Sequence, residues 1–321
     1  IWSVLKEKFS TLKTQANYNN DIGTPMTLLE LDDSHEAAVI ETGMDHLGEI
    51  RYLGEMVRPQ YAAIINVGVA HIEFLGSREN ILKAKCEILE NLAPDGIVYL
   101  NGDDEMLNTV QGIAQRIVRF GKGENCDVRV SEIETKGLHE TSCHIKTARR
   151  SYDLTIPAPG EHMIYPAALA VALGEELGMT REEITKGIAA YTPVGARMRV
   201  RRLGGERILL DDCYNANPQS MEASLRVLHN ASGTKRIAVL GNMGELGDFS
   251  EQAHRDLGTL CAQLEIDSLF AVGPLARLVA QAAEEQGMKD VHAYREKEEA
   301  YEEIAKAYES GAVLLLKASL Y

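Results

Sequence analysis

Apolar and polar positions recur along this chain with two periods, near two and near 3.6, and the switches between them mark most of its elements. Ala62-Ala63-Ile64-Ile65-Asn66-Val67 reads as a buried strand and Gly68-Val69-Ala70-His71 as a short run after it. A helix is then predicted from the capping residue Ser77 to about Leu92. Ile81, Leu82, Lys85, Ile88, Leu89 and Leu92 share one face of it by their three- and four-residue spacing, so a lysine sits amid apolar residues. Upstream, residues 37–41 read as a buried strand and 49–57 as a helix. Downstream, strands at 97–101 and 117–120 flank a helix at 105–114. Such alternation implies a mostly parallel sheet covered by helices. Between about 127 and 156 the pattern shortens to alternating strands with turn residues, which predicts a small antiparallel patch. Helices at about 161–177 and 181–191 follow, the second with Thr180 as N-cap.

Thr192-Pro193-Val194-Gly195 is the best boundary signal. Beyond it a hairpin is predicted from 199–203 and 207–210, turned by Gly204-Gly205. Helix and strand then alternate again: helix 219–229, strand 236–240, helix 251–264, strand 268–272, helices 275–286 and 298–308, and strand 313–317. The expected fold class is α/β: a central, mostly parallel-sheet domain over residues 1–198, then a smaller Rossmann-like domain over 199–321. The chain opens Ile1-Trp2-Ser3-Val4-Leu5 already in helical register, with Ile1, Leu5, Phe9 and Leu12 on one face and nothing before them as a cap. It stops four residues after an apolar strand. Both ends read as cuts, so a segment of a longer protein is expected.

Composition narrows the function classes. The 321 residues are 45% hydrophobic and 25% charged, ordinary for a globular protein, and suffice for two domains. A net charge of −15 with interspersed signs argues against nucleic acid or an anionic membrane as the main partner. Five dispersed cysteines without a C-x-x-C pair suit a reducing cytoplasm and suggest no metal site. No apolar run reaches the length of a membrane span.

The candidate chemistry sits at strand ends, where open α/β sheets place their sites. Glu41 closes one predicted strand, with Gly43 close behind, and His71 follows the next. Two such side chains suggest a divalent-ion site, the glutamate suiting Mg²⁺ better than the histidine; a capped strand end and a hydrogen-bonded histidine is the plainer alternative. Lys85 has no acidic partner at i±3 or i±4. It either snorkels to the surface or is chemically used with a lowered pKa. Asp211-Asp212-Cys213-Tyr214-Asn215-Ala216-Asn217-Pro218 puts two acids directly after a buried strand and a proline where a helix can start. Leu240-Gly241-Asn242-Met243-Gly244-Glu245-Leu246-Gly247 repeats the layout as a strand running into a glycine-rich loop. No G-x-x-x-x-G-K-[ST] loop occurs, so these residues alone do not indicate ATP.

Those two runs, with Asn17-Tyr18-Asn19-Asn20-Asp21-Ile22-Gly23-Thr24-Pro25, Glu41-Thr42-Gly43, Gly48-Glu49-Ile50, Ala70-His71 and Ala84-Lys85-Cys86-Glu87-Ile88, closely resemble the Mur ligase family, in its branch that adds D-alanyl-D-alanine. The resemblance covers nearly the whole chain. It implies an ATP-dependent, cytoplasmic, monomeric amide ligase of peptidoglycan precursor synthesis, joining D-Ala-D-Ala to UDP-N-acetylmuramoyl-tripeptide through an acyl phosphate. Two of three domains would be present, and without the phosphate loop the segment alone would be inactive. Carried over by position, Glu41, His71 and Lys85 would be the catalytic and Mg²⁺-binding set, with two Mg²⁺ ions and Lys85 carbamylated. Arg197, Asp212, Asn215 and His162 would meet ATP, and Asn20, Asn217, Ser220 and Glu245 the substrates. One departure stands out. The family commonly has Gly-x-His-Asn-x-x-Asn where this chain reads Gly160-Glu161-His162-Met163-Ile164-Tyr165-Pro166, which takes away both usual adenine-contacting asparagines. A sister Mur or polyglutamate ligase, or a non-catalytic nucleotide-binding remnant, are the alternatives.

Overall fold

The helix starts follow their capping residues. Ser77 accepts a hydrogen bond from the Asn80 amide, Thr180 and Glu183 form a reciprocal capping box, and Asn217 and Ser220 form another with Pro218 at the first helical position. The computed structural model describes residues 1–193 and 195–319, and Val194, in the expected boundary, lies outside them. The chain divides into two compact units. One comprises residues 1–68, 74–136 and 140–192; the other comprises 69–73, 137–139 and 193–321.

The first unit begins with α1 (Trp2–Leu5), β1 (Thr11–Lys13), α2 (Gly23–Leu28), β2 (Ala37–Val39) and α3 (Glu49–Val57), followed by β3 (Tyr61–Ile64). Next in the chain come a single turn, α4 (Ile72–Leu75), which the division at residue 73 cuts, then the helix α5 (Arg78–Cys86) and strands β4 (Ile97–Asn101) and β5 (Arg116–Gly121) of the first unit. Strands β6 (Val128–Lys136), β7 (Glu140–Lys146) and β8 (Ser151–Ile156) precede α6 (Ile164–Glu176) and α7 (Arg181–Ala189). A six-stranded sheet runs β3-β4-β5-β6-β7-β8, parallel through β6 and antiparallel beyond. A separate parallel ladder pairs β1 with β2. Helix α6 is apolar nearly all round and is buried from Ala167 to Leu173, making it the centre of this core. Helix α1 packs on α7 where Gly187 permits it; a Cβ there would lie 2.4 Å from Val4 Cα.

The second unit is a six-stranded sheet in the order β13-β12-β11-β14-β10-β9. Its strands are β9 (Arg199–Arg202), β10 (Ile208–Asp211), β11 (Arg236–Leu240), β12 (Ser268–Val272), β13 (Val291–Tyr294) and β14 (Val313–Lys317). All its pairs are parallel except the β9–β10 hairpin. Helices α8 (Pro218–His229), α9 (Ser250–Gln263), α10 (Ala276–Glu285) and α11 (Lys297–Ala307) connect the parallel strands. Among the described residues no helix is long and apolar enough to cross a membrane.

Several local expectations are corrected. The opening helix stops at Leu5; Leu12 is buried in β1 instead, because that segment pairs with β2, some 26 residues on. The strand at 37–41 shortens to 37–39 and is only half-buried, since it belongs to a two-stranded ladder. The predicted helix at 105–114 is a single 3-10 turn, Leu107–Thr109. Asp104 caps that turn by accepting from the Met106 and Leu107 amides, and Gly112 follows at φ 73°. Strand β13 was not predicted. Helix α5 ends at Cys86 and continues as a 3-10 segment, Glu87–Asn91. Its most buried side is Ile81, Ala84 and Glu87, so Lys85 lies beside the core rather than in the middle of a buried seam. Glu87 is buried with a purpose that spacing did not reveal. Its carboxylate accepts from the Gly48 and Arg51 amides at the start of α3, where the helix end favours negative charge.

Candidate functional site

In the first unit the exit of β2 carries Glu41, as expected. Glu41, two residues past β2, is exposed; its amide donates to Thr14 Oγ1 (2.9 Å) and its Oε1 accepts from Asn19 Nδ2 (3.0 Å). The Gly43 amide donates to Asn19 O at 2.7 Å, so the 17–20 loop lies against Glu41–Gly43. Asn20 closes that loop, its Oδ1 accepting from the Gly23 amide (2.8 Å) ahead of α2. Two of the predicted residues, Glu41 and Asn20, are thus brought to one loop cluster, with Asn20 serving the backbone as an Asx-type cap.

The chain leaving β3 is gripped on three sides. Lys85 Nζ donates to Asn66 O (2.9 Å), Arg78 Nη2 donates to Val67 O (3.0 Å), and Asp104 Oδ2 accepts from the Val67 amide (2.7 Å). Lys85 is half-buried. Burial lowers its pKa, and the nearby Asp104 charge partly opposes that. Its hydrogen-bond partner is a neutral carbonyl, and no ion pair to its ammonium forms among the described residues. A lysine so placed can give up its proton more readily than a surface one, the condition for a nucleophilic or CO₂-reactive amine.

His71 falls in the 69–73 segment that clusters with the second unit. Its Nδ1 is 2.6 Å from Glu245 Oε2, and both residues have left-handed backbones, φ 62° and 61°. Non-glycine residues adopt that region only where surroundings enforce it, often at functional positions. The structure therefore brings together a predicted metal ligand and a predicted substrate residue.

Around the missing asparagines, Gly160 turns at φ 102° into a short 3-10 segment, Glu161–Met163, on which His162 is exposed. Met163 and Pro166 do not disturb α6, which starts at Ile164; proline is tolerated in a first turn, where its missing donor would have no intrahelical partner. Tyr165, between them, donates its hydroxyl to Asp103 Oδ2 (3.1 Å). Burial, and then the Asp103 charge, raise its phenol pKa. Asp103 also accepts from the Lys122 and Gly123 amides at 2.7 and 2.9 Å, fixing the Gly121-Lys122-Gly123 loop.

In the second unit the acidic run closes β10 as expected, and the structure adds what spacing could not. Asp212 Oδ1 accepts from the Met198 amide (2.8 Å), and Oδ2 accepts from Ser224 Oγ and Lys317 Nζ, both at 2.6 Å. Lys317 is buried at 3% side-chain exposure and also donates to Asn215 O (3.0 Å). Burial lowers its pKa while Asp212 pulls it back up. Arg197 lies over the Tyr214 ring, 4.1 Å from its centroid. Asn215 Oδ1 accepts from the next amide, Ala216 (2.7 Å). Asn217 and Ser220 spend their side chains on the α8 capping box. Ser319 Oγ donates to Ala216 O and accepts from the Gly244 amide, both at 3.1 Å, joining the two strand-end loops.

Sequence reasoning missed Lys317, Ser319, Arg78, Asp103 and Asp104. The available signals were a lysine ending the wholly apolar run Val313-Leu314-Leu315-Leu316 and a second acid pair, Asp103-Asp104, after a predicted strand.

Against known proteins, residues 1–174 match the Mur ligase middle domain and residues 196–320 the Mur ligase, glutamate ligase domain. The chain is 33% identical to the UDP-N-acetylmuramoyl-tripeptide--D-alanyl-D-alanine ligase of Bacillus subtilis (strain 168), over 99% of this chain and 69% of that protein. It superposes on MurF from Acinetobacter baumannii with a TM-score of 0.90 at 35% identity, covering 99% of this chain and 69% of that one. MurF ligase from Thermotoga maritima in complex with ADP gives 0.87 at 27% identity, over 99% and 72%. The chain thus spans about two thirds of the length of the proteins it matches.

Proposed function

The chain belongs to the Mur ligase family, and from that premise we propose that the whole protein is the ATP-dependent ligase that joins D-alanyl-D-alanine to UDP-N-acetylmuramoyl-tripeptide. The observation that carries this reading is the similarity to a tripeptide–D-alanyl-D-alanine ligase over 99% of the chain, across both family domains. A cytoplasmic, monomeric enzyme follows from the same reading. Residues 1–198 are assigned the ATP-handling part and 199–321 the ligase part.

The reaction proceeds in two transfers. A carboxylate oxygen of the tripeptide attacks the γ-phosphorus of ATP, the bond to the bridging oxygen breaks, and ADP leaves. The neutral amine of D-Ala-D-Ala then attacks the acyl carbon, a C–N bond forms, the C–O bond to phosphate breaks, and inorganic phosphate departs with the amine proton lost to solvent. Chemistry of this type rests on positioning and charge stabilisation. Glu41 supplies a carboxylate, a hard oxygen ligand suited to Mg²⁺. Lys85 fits the same group only as a carbamate, and its half-buried amine of lowered pKa suits CO₂ addition. Glu41, His71 and Lys85 would hold Mg²⁺, which supplies charge neutralisation on the phosphates. Arg197, Asp212, Asn215 and His162 are assigned to the nucleotide, with Met163 and Pro166 at the positions of the absent asparagines and Tyr165 between them. Asn20, Asn217, Ser220 and Glu245 are assigned to the peptide substrates, Asn217 and Ser220 through the helix end they build.

The test is phosphate release by the full-length enzyme with each amine offered in turn, the product identified by mass. Turnover should require ATP, the UDP-linked tripeptide and D-Ala-D-Ala together. A product formed with a single amino acid, such as glutamate, and none with the dipeptide would assign a sister reaction instead.

A further inference from the structure

We propose that Lys317 is a positioning residue: it fixes the loop from Asp212 to Asn217 and, through that loop, the backbone on either side of Arg197. The inference rests on the assignment of Arg197 and Asp212 to the nucleotide. Lys317 ends β14, which is an interior strand paired on both sides, by β10 and by β11. From the end of β14 its ammonium reaches two points of the loop, the Asp212 carboxylate at 2.6 Å and the Asn215 carbonyl at 3.0 Å. The loop in turn holds both neighbours of Arg197. Asp212 Oδ1 accepts from the Met198 amide at 2.8 Å, and the Tyr214 amide donates to Ala196 O at 3.2 Å. Between these ties the guanidinium lies over the Tyr214 ring.

Met198 supplies an independent sign that this segment is held. It has φ 48°, a left-handed conformation that a side chain disfavours, and its amide is the one Asp212 grips. A buried ion pair is weak as a source of stability, because apolar residues of similar size often serve as well. A buried lysine with two directed hydrogen bonds to one loop does what an apolar residue cannot, which is to set that loop's conformation.

The experiment compares parent, Lys317→Met and Lys317→Gln. Amide exchange of this chain is followed at Met198 and residues 213–217, and kcat and KM for ATP are measured in the full-length enzyme. Lys317→Met should raise exchange at those amides and lower kcat by up to roughly 100-fold, the scale expected of a misplacement near 1 Å. Lys317→Gln, whose amide can still donate to Asp212 and Asn215, should fall between. If Lys317→Met does not fold, Lys317→Gln against parent decides the question, with faster exchange and lower kcat expected. A merely structural lysine would lower the melting temperature and leave kcat and KM of the folded enzyme at parental values, which overturns the inference, as does parental exchange in the folded variants. Exchange needs no substrate. Failure of the parent to ligate D-Ala-D-Ala would therefore strike the proposed reaction, while the exchange data would still show whether Lys317 holds Arg197.

Discussion

Each unit has a lysine whose Nζ donates to a backbone carbonyl beyond a strand end, and the two differ in what else they meet. Lys85 is half-buried and bonds the neutral Asn66 carbonyl, with Asp104 acting only through its field. Lys317 is buried and is ion-paired with Asp212 at 2.6 Å. Burial lowers the pKa of both. The difference teaches that desolvation alone does not make a lysine reactive. An ammonium clasped to a carboxylate stays a structural cation, whereas one facing a carbonyl is free to become an amine.

The sharpest way to break this contrast is to remove Lys85 from the full-length enzyme. Lys85→Ala should lower kcat by about 100-fold or more, judging from the scale of losses around metal sites, with the melting temperature little changed. Near-parental kcat would reduce Lys85 to a snorkelling residue. Next in size, Lys317→Met should destabilise the second unit by about 3 kcal/mol, because Asp212 keeps a charge without its partner. Lys85→Met should shift the first unit by less than about 0.5 kcal/mol. Denaturant titration of this chain checks both, and equal losses would erase the distinction.

A smaller effect is chemical. At a pH well below the lowered value, each unit of pKa lowering gives about tenfold more neutral amine. Acetic anhydride near pH 8 should therefore label Lys85 several-fold faster than an exposed lysine such as Lys83, while Lys317 is protected until unfolding. Slow labelling at Lys85 would show that burial blocks the reagent or that Asp104 restores the ammonium. The smallest effect is on stability against pH. With the folded pKa of Lys85 below its unfolded value, the folded state binds fewer protons in the window between them. Parent should then gain stability over Lys85→Met as pH rises through that window, levelling near 10.5. A difference that falls with pH would reverse the sign of the shift.

Much of the fold was legible because its signals are local. Strands 97–101, 236–240, 268–272 and 313–317 and helix 49–57 fall where periodicity put them, and Ser77, Thr180 and Asn217-Pro218 cap where their chemistry predicts. The failures have non-local causes. Leu12 looked helical because nothing near it reveals its pairing with Ala38. Strand β13 hides because it is an edge strand with half-buried and exposed positions only. The candidate site divides the same way. Glu41, Asp212 and Lys85 stood out by residue type against their surroundings, but their partners did not. Lys317 meets Asp212 across 105 positions, and Asp104 meets Val67 across 37. Asn217 and Ser220 were read as substrate contacts from their place in a motif, and their side chains prove to cap a helix.

The position of β14 also has a consequence for how this unit is made. Among the described residues it comes last in sequence of the six strands of its sheet, yet it lies between β10 and β11. On a ribosome, the β9–β10 hairpin and the β11–β12–β13 trio emerge first, and each must wait with an unfilled apolar edge until residues 313–317 appear. Neither half can bridge to the other before then, so the sheet closes only once residues 313–317 have emerged, and two strand edges stay exposed until that point.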